Sequence, residues 1–161
     1  MGIAQASLVV DSLNALNQAV QDTLETLSFS EALPVPQESY PPLHLPVYVT
    51  TVEVHRPYTG FIRLIIPRNM AISLVGSMLG STGNLEEEWV QDGLSELVNI
   101  IGGRILAHLV DSFNSFDLSI PQTVCLDKEL PSCDGILVRQ AYVLNDEHVE
   151  LELEFQKARA A

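Results

Sequence analysis

Between Asp92 and Arg104 the chain reads Asp-Gly-Leu-Ser-Glu-Leu-Val-Asn-Ile-Ile-Gly-Gly-Arg. Wound as a helix, Asp92, Glu96, Asn99 and Gly103, spaced by four, three and four, share one face. Leu94, Leu97, Ile101, Ile105 and Leu109 form a separate apolar stripe. Carboxylates on such a face can pair with a cation, and an amide can donate and accept a hydrogen bond at once. That set can dock and orient, but it includes neither a nucleophile beside its base nor a metal cage. Gly102 and Gly103 stand adjacent in mid-helix, where each costs about 1 kcal/mol relative to alanine. Two reasons would account for them: close packing against a neighbouring element, or an open surface beside Asn99 that lets a partner approach. The spacing alone is compatible with both.

Elsewhere the chain offers little chemistry. His44, His55, His108 and His148 lie on different elements with no metal-binding spacing, so no metal site is expected. Cys125 and Cys133 are expected as free thiols in a reducing compartment, and Cys125, lacking a nucleophile signature, as a buried small hydrophobe. Trp89 reads as a core or interface anchor. Gly76 and the glycines from Gly80 to Gly83 match neither a phosphate loop nor a dinucleotide fingerprint, so no nucleotide or other cofactor of its own is expected.

The elements that position this helix follow from periodicity. Val9, Leu13, Leu16, Val20, Leu24 and Leu27 recur at helical spacing, predicting an amphipathic N-terminal helix within residues 1–30. Five prolines between Leu33 and Pro46 predict an extended surface connector over 33–46. Val47 to His55 and Tyr58 to Ile66 read as a hairpin. Pro67 opens a shorter helix at its first turn and Gly80 closes it. Asn84 and Glu87 have the spacing of a capping box, and Glu86 to Glu88 suit the positive end of a helix dipole, so the motif helix is expected over 84–110. Strands follow at Phe116 to Ile120, Thr123 to Leu126, Ile136 to Leu144 and His148 to Gln156, the last alternating Val149, Leu151, Leu153 and Phe155 with glutamates after a turn at Asn145 to Glu147. The expected fold is α+β, an antiparallel sheet flanked by two long helices and one shorter one.

With 161 residues and 47% hydrophobic side chains, residues 1–161 make one domain with a sizeable core. A net charge of −13 argues against electrostatic capture of nucleic acid or anionic lipid and is compatible with a basic or locally cationic protein partner. No apolar stretch is long enough for a membrane-spanning helix, and Met1 to Val10 contains no Lys or Arg, unlike a secretory signal, so a cytoplasmic protein is expected.

The pattern Asp92-x-x-x-Glu96-x-x-Asn99, followed by Pro121, resembles the phosphatase signature of the CheC, CheX and FliY family. The resemblance continues through Gly60-Phe61-Ile62-Arg63-Leu64-Ile65-Ile66-Pro67 with its following helix and through Leu118-Ser119-Ile120-Pro121, spanning about Gln18 to Phe155. It implies a phosphatase of a phosphorylated CheY-like response regulator in chemotaxis or related two-component signalling. Asn99 and Glu96 would be the catalytic pair, with Asp92, Glu96 and Gly103 at the partner surface. The resemblance has Asn99 orienting the attacking water and Glu96 pairing with a lysine of the partner, which itself carries the aspartyl phosphate and Mg²⁺. CheC-like members carry a second motif on the first long helix, but here Ser28 stands where an Asn would be needed. One site is therefore implied, as in CheX-like members, and with it a homodimer. The alternative is a non-catalytic module of the same fold that docks a receiver or scaffolds a dimer. Catalysis requires Glu96 and Asn99 to be exposed.

Overall fold

The computed structural model describes residues 3–28, 31–36, 43–56, 58–81, 83–109, 117–130, 138–144 and 147–157. The helices are α1 (Ile3–Ser28), α2 (Arg68–Leu79) and α3 (Glu87–Leu109). The strands are β1 (Leu33–Pro34), β2 (Val47–Arg56), β3 (Tyr58–Pro67), β4 (Asp117–Leu118), β5 (Gln122–Leu126), β6 (Val138–Leu144) and β7 (Glu147–Lys157). All pair antiparallel in one sheet of order β1-β6-β7-β3-β2, with β4 and β5 both on the outer edge of β2. The α+β class read from periodicity holds.

Alternation along the hairpin divides the two sheet faces. Tyr48, Val52 and Val54 of β2 and Ile62, Leu64 and Ile66 of β3 join one core with Leu16, Val20, Met70, Leu74, Leu94 and Ile101 from the helices. Their intervening neighbours Val47, Val49 and Ile65 form a smaller cluster with Leu43. The core helices thus lie against one sheet face, because a period of two sends alternate side chains to opposite sides. On α3, Leu94, Leu97, Ile101 and Ile105 are at most 1% exposed. Burying each is worth about 1.5–3 kcal/mol, which makes α3 a fixed platform.

Several expectations are corrected. The connector over 33–46 contains a strand: Leu33 and Pro34 pair with Val143 and Tyr142 of β6. An edge position tolerates Pro34, whose missing N–H is not needed there. Pro67 ends β3, opposite Val47, and serves as the N-cap of α2 at φ −56° and ψ 141°, so the helix begins one residue later. Gly80 does close α2, in the left-handed region at φ 64°.

The motif helix begins at Glu87, and Glu86, not Asn84, precedes it: the Glu86 carbonyl accepts from the backbone N–H groups of Trp89 and Val90. Leu85 and Val90 hold the positions of a hydrophobic staple, and both join the core, which fixes the entry there and leaves Asn84 outside. Cys125 is exposed rather than buried, since β5 is an outer strand. Cys133, Val110, Phe116, Ile136, the turn residues Asn145 and Asp146, and the side chains along β7 lie outside the described residues.

Candidate functional site

Helix α3 presents Asp92, Glu96 and Asn99 to solvent on its outer face. Among the described residues no hydrogen bond or ion pair engages these three side chains. Exposed carboxylates and an amide without partners among the described residues are available to another molecule. A Cβ built on Gly103 meets nothing within 4 Å, whereas one on Gly102 would stand 3.2 Å from Ile62 Cδ1 and 3.6 Å from Val52 Cγ1 and Leu118 Cδ1. The paired glycines thus have different reasons: Gly102 lets the helix approach the sheet, and Gly103 leaves the outer surface open beside Asn99.

Three attachments hold the helix in place. At its start, the Tyr48 hydroxyl of β2 donates to Glu87 Oε1 at 3.3 Å. Burial raises the Tyr48 pKa above its usual 10.0; a hydrogen bond with Arg68 opposes this, and the Glu87 charge adds to it. In the middle, Ser95 Oγ lies 3.3 Å from Thr123 Oγ1 of β5, which lies 2.9 Å from Thr50 Oγ1 of β2. This hydroxyl chain fixes the residue beside Glu96. Near the end, Arg104 Nη1 donates to the buried Thr23 hydroxyl of α1 at 3.1 Å.

Gly93 was not singled out in the sequence, although it lies inside the motif. A Cβ there would stand 2.5 Å from Val75 Cγ1, so its absence sets the approach of α2 to α3. A third glycine within the helix was the available signal. The hydroxyl chain had none, because it joins residues far apart in sequence. Pro121 follows Ile120 between β4 and β5, on the sheet edge that reaches α3 through Leu118 and Thr123. There the Ser119 N–H donates to the Glu53 carbonyl and the Glu53 N–H to Ser119 Oγ, each at 2.9 Å, carrying the ladder across the break.

The other candidates, Trp89 excepted, stay apart from this face. Ser28 is buried and donates to the Leu24 carbonyl at 2.8 Å, so α1 presents no counterpart of Asn99. His44 before β2, His55 on β2 and His108 on α3 are exposed and separate, and no group of three or more potential metal ligands occurs among the described residues. A pocket of about 240 Å³ lined by Thr51, Glu53, Ser119, Ile120 and Gln122 includes none of the α3 stripe. Trp89 is not in the core but exposed, one turn before Asp92. No described helix is long and apolar enough to cross a membrane.

The family model described as chemotaxis phosphatase CheX matches residues 48–134, more than half of the chain and the whole of the α3 face. The chain belongs to the CheX family. Its fold is that of other CheX proteins: a chemotaxis protein CheX from Desulfovibrio desulfuricans aligns with a TM-score of 0.74 at 18% identity, covering 90% of this chain and 99% of that one. CheX in a CheX–CheY–BeF₃–Mg²⁺ complex from Borrelia burgdorferi aligns at 0.69 and 15% identity, covering 89% and 97%. FliY from Thermotoga maritima aligns at 0.62 and 12% identity, covering 96% and 91%. At these identities the likeness speaks to the fold. A comparison with curated proteins found no match.

Proposed function

We propose that this CheX-family protein removes the phosphoryl group from a phosphorylated CheY-like receiver, with Asn99 and Glu96 as its catalytic pair. The observation that carries the reading is the exposure of Asp92, Glu96 and Asn99, without hydrogen-bond or ion-pair partners among the described residues, on a helix whose opposite face is buried. Membership of a family described as chemotaxis phosphatases supports it. So does the fold shared with the CheX of a CheX–CheY–BeF₃–Mg²⁺ complex.

Phosphoryl transfer asks for positioning and charge stabilisation more than for a strong base. The Asn99 amide accepts a hydrogen from a water while donating to a phosphoryl oxygen, aligning the water for in-line attack on phosphorus. The P–O bond to the receiver's aspartate then breaks, releasing inorganic phosphate and restoring the carboxylate. Glu96 pairs with the receiver's lysine and sets the docking register, and Asp92 and Gly103 belong to the same contact surface. The Mg²⁺ in this scheme belongs to the receiver, where it neutralises charge on the phosphoryl oxygens. On this reading the protein works in the cytoplasm, where receivers are phosphorylated, and as a homodimer with one site per chain.

The test is the decay of a phosphorylated receiver alone, with the protein, and with its Asn99→Ala and Glu96→Ala variants. The protein should accelerate decay, and Asn99→Ala should lose about a hundredfold or more of that acceleration, the scale for removing one positioned donor. Binding without acceleration would replace this reading with a receiver-docking module.

A further inference from the structure

Trp89 is the sole tryptophan of the chain and is 56% exposed. A tryptophan that finds cover buries about 150–250 Å², so one held at the surface of a rigid helix is a large apolar area awaiting a partner. Single exposed apolar residues are ordinary, but Trp89 has a particular place. It precedes Asp92 by three residues and Glu96 by seven, which puts it on the same outer face and extends the motif stripe towards the start of α3. Leu79, 53% exposed, ends α2. Where α2 and α3 meet, Val75 faces Gly93. Leu79 and Trp89 each stand one turn beyond that contact, towards the connection between the helices. Glu86 before α3 and Glu88, Asp92 and Glu96 along it are all exposed, and α3 carries no Lys or Arg before Arg104.

We infer that Trp89, flanked by Leu79, is the apolar anchor of the docking surface for the receiver, seating in an apolar pocket rimmed by basic side chains. The inference rests on the phosphatase reading and adds what captures the substrate before Asn99 acts. Continuity with the Asp92–Glu96–Asn99 face selects the receiver as the occupant, and the one-signed charge around Trp89 selects the character of the pocket. Central, desolvated tryptophans carry much of the binding energy of an interface, while charges at the rim mainly govern association rate and salt dependence. Trp89 therefore acts on capture and not on the phosphoryl group.

Because Trp89 is the sole tryptophan, its fluorescence reports on this surface directly. The experiment titrates a beryllofluoride-activated, tryptophan-free receiver into the full chain and, in parallel, measures steady-state dephosphorylation by wild type, Trp89→Phe and Trp89→Ala. A blue shift that saturates with receiver is expected. Trp89→Ala should raise KM about tenfold or more with kcat within about twofold of wild type, and Trp89→Phe should fall between. Unchanged emission at saturating receiver, or an unchanged KM in Trp89→Ala, overturns the inference and leaves the phosphatase reading standing. A blue shift without any acceleration of decay upholds the anchor while the phosphatase reading fails. Emission that shifts red on dilution without receiver assigns Trp89 to contact with a second copy and overturns the inference.

Discussion

Alanine at Gly93 and alanine at Gly103 add the same methyl group to the same helix, with opposite consequences. Each substitution gains the same helix propensity, about 0.8–1.0 kcal/mol over glycine. At Gly103 nothing lies within 4 Å of the new Cβ, so the gain is kept, and Tm should rise by about 2–4 °C for a chain of this size. At Gly93 the methyl would stand 2.5 Å and 2.8 Å from the two γ-carbons of Val75, which is fully buried. A β-branched side chain cannot swing clear on a packed helix. Overpacking of this kind costs about 1–3 kcal/mol, leaving Gly93→Ala between neutral and about 2 kcal/mol destabilised. Since the propensity gain cancels between the two variants, their contrast isolates the steric cost, about 1–3 kcal/mol or roughly 2–12 °C. Thermal unfolding followed by circular dichroism, checked against urea midpoints, measures it. Val75→Ala in the Gly93→Ala background should relieve the clash and give a favourable coupling energy. Equal stabilisation by both alanines would refute the reasoning, because the approach of α2 would then not be what Gly93 serves. If Gly103 clears the docking surface, the more stable Gly103→Ala protein should also be the poorer phosphatase.

Two further predictions concern the supports of the site. Ser28→Asn restores the residue type of a second motif on α1, but the position is 5% exposed and its hydroxyl is already bonded to the Leu24 carbonyl. The variant should lose about 1–3 kcal/mol in urea unfolding and show unchanged stoichiometry of receiver binding; a second functional site would contradict the buried placement. The Tyr48 hydroxyl has a folded-state pKa above its usual 10.0, chiefly through burial. The folded chain therefore holds that proton more tightly than the unfolded one. The stability this contributes is fully present below pH 10 and is lost as pH rises through the folded value. Stability profiles above about pH 9 should fall more steeply for wild type than for Tyr48→Phe, and parallel profiles would show that Tyr48 is not part of the alkaline transition.

The amino-acid sequence by itself determined the features that depend on neighbours within a few residues. Helical spacing put Asp92, Glu96, Asn99 and Gly103 on one side of α3 and Leu94, Leu97, Ile101 and Ile105 on another, and the structure exposes the first three and buries the last four. Alternation and composition likewise identified the β2–β3 hairpin. What only the tertiary structure decided depends on residues far apart in the chain. The start of α3 follows the core packing of Leu85 and Val90, not the local pattern at Asn84. Cys125 is exposed because β5 ended up outermost beside β2, and Trp89 because nothing in the described fold covers that end of α3. The two adjacent glycines look identical in sequence, yet Ile62, forty residues earlier, crowds the side of α3 at Gly102 and leaves Gly103 open. A helix's own geometry fixes which residues share a face, but only the chain packed against it decides which face remains available to a partner.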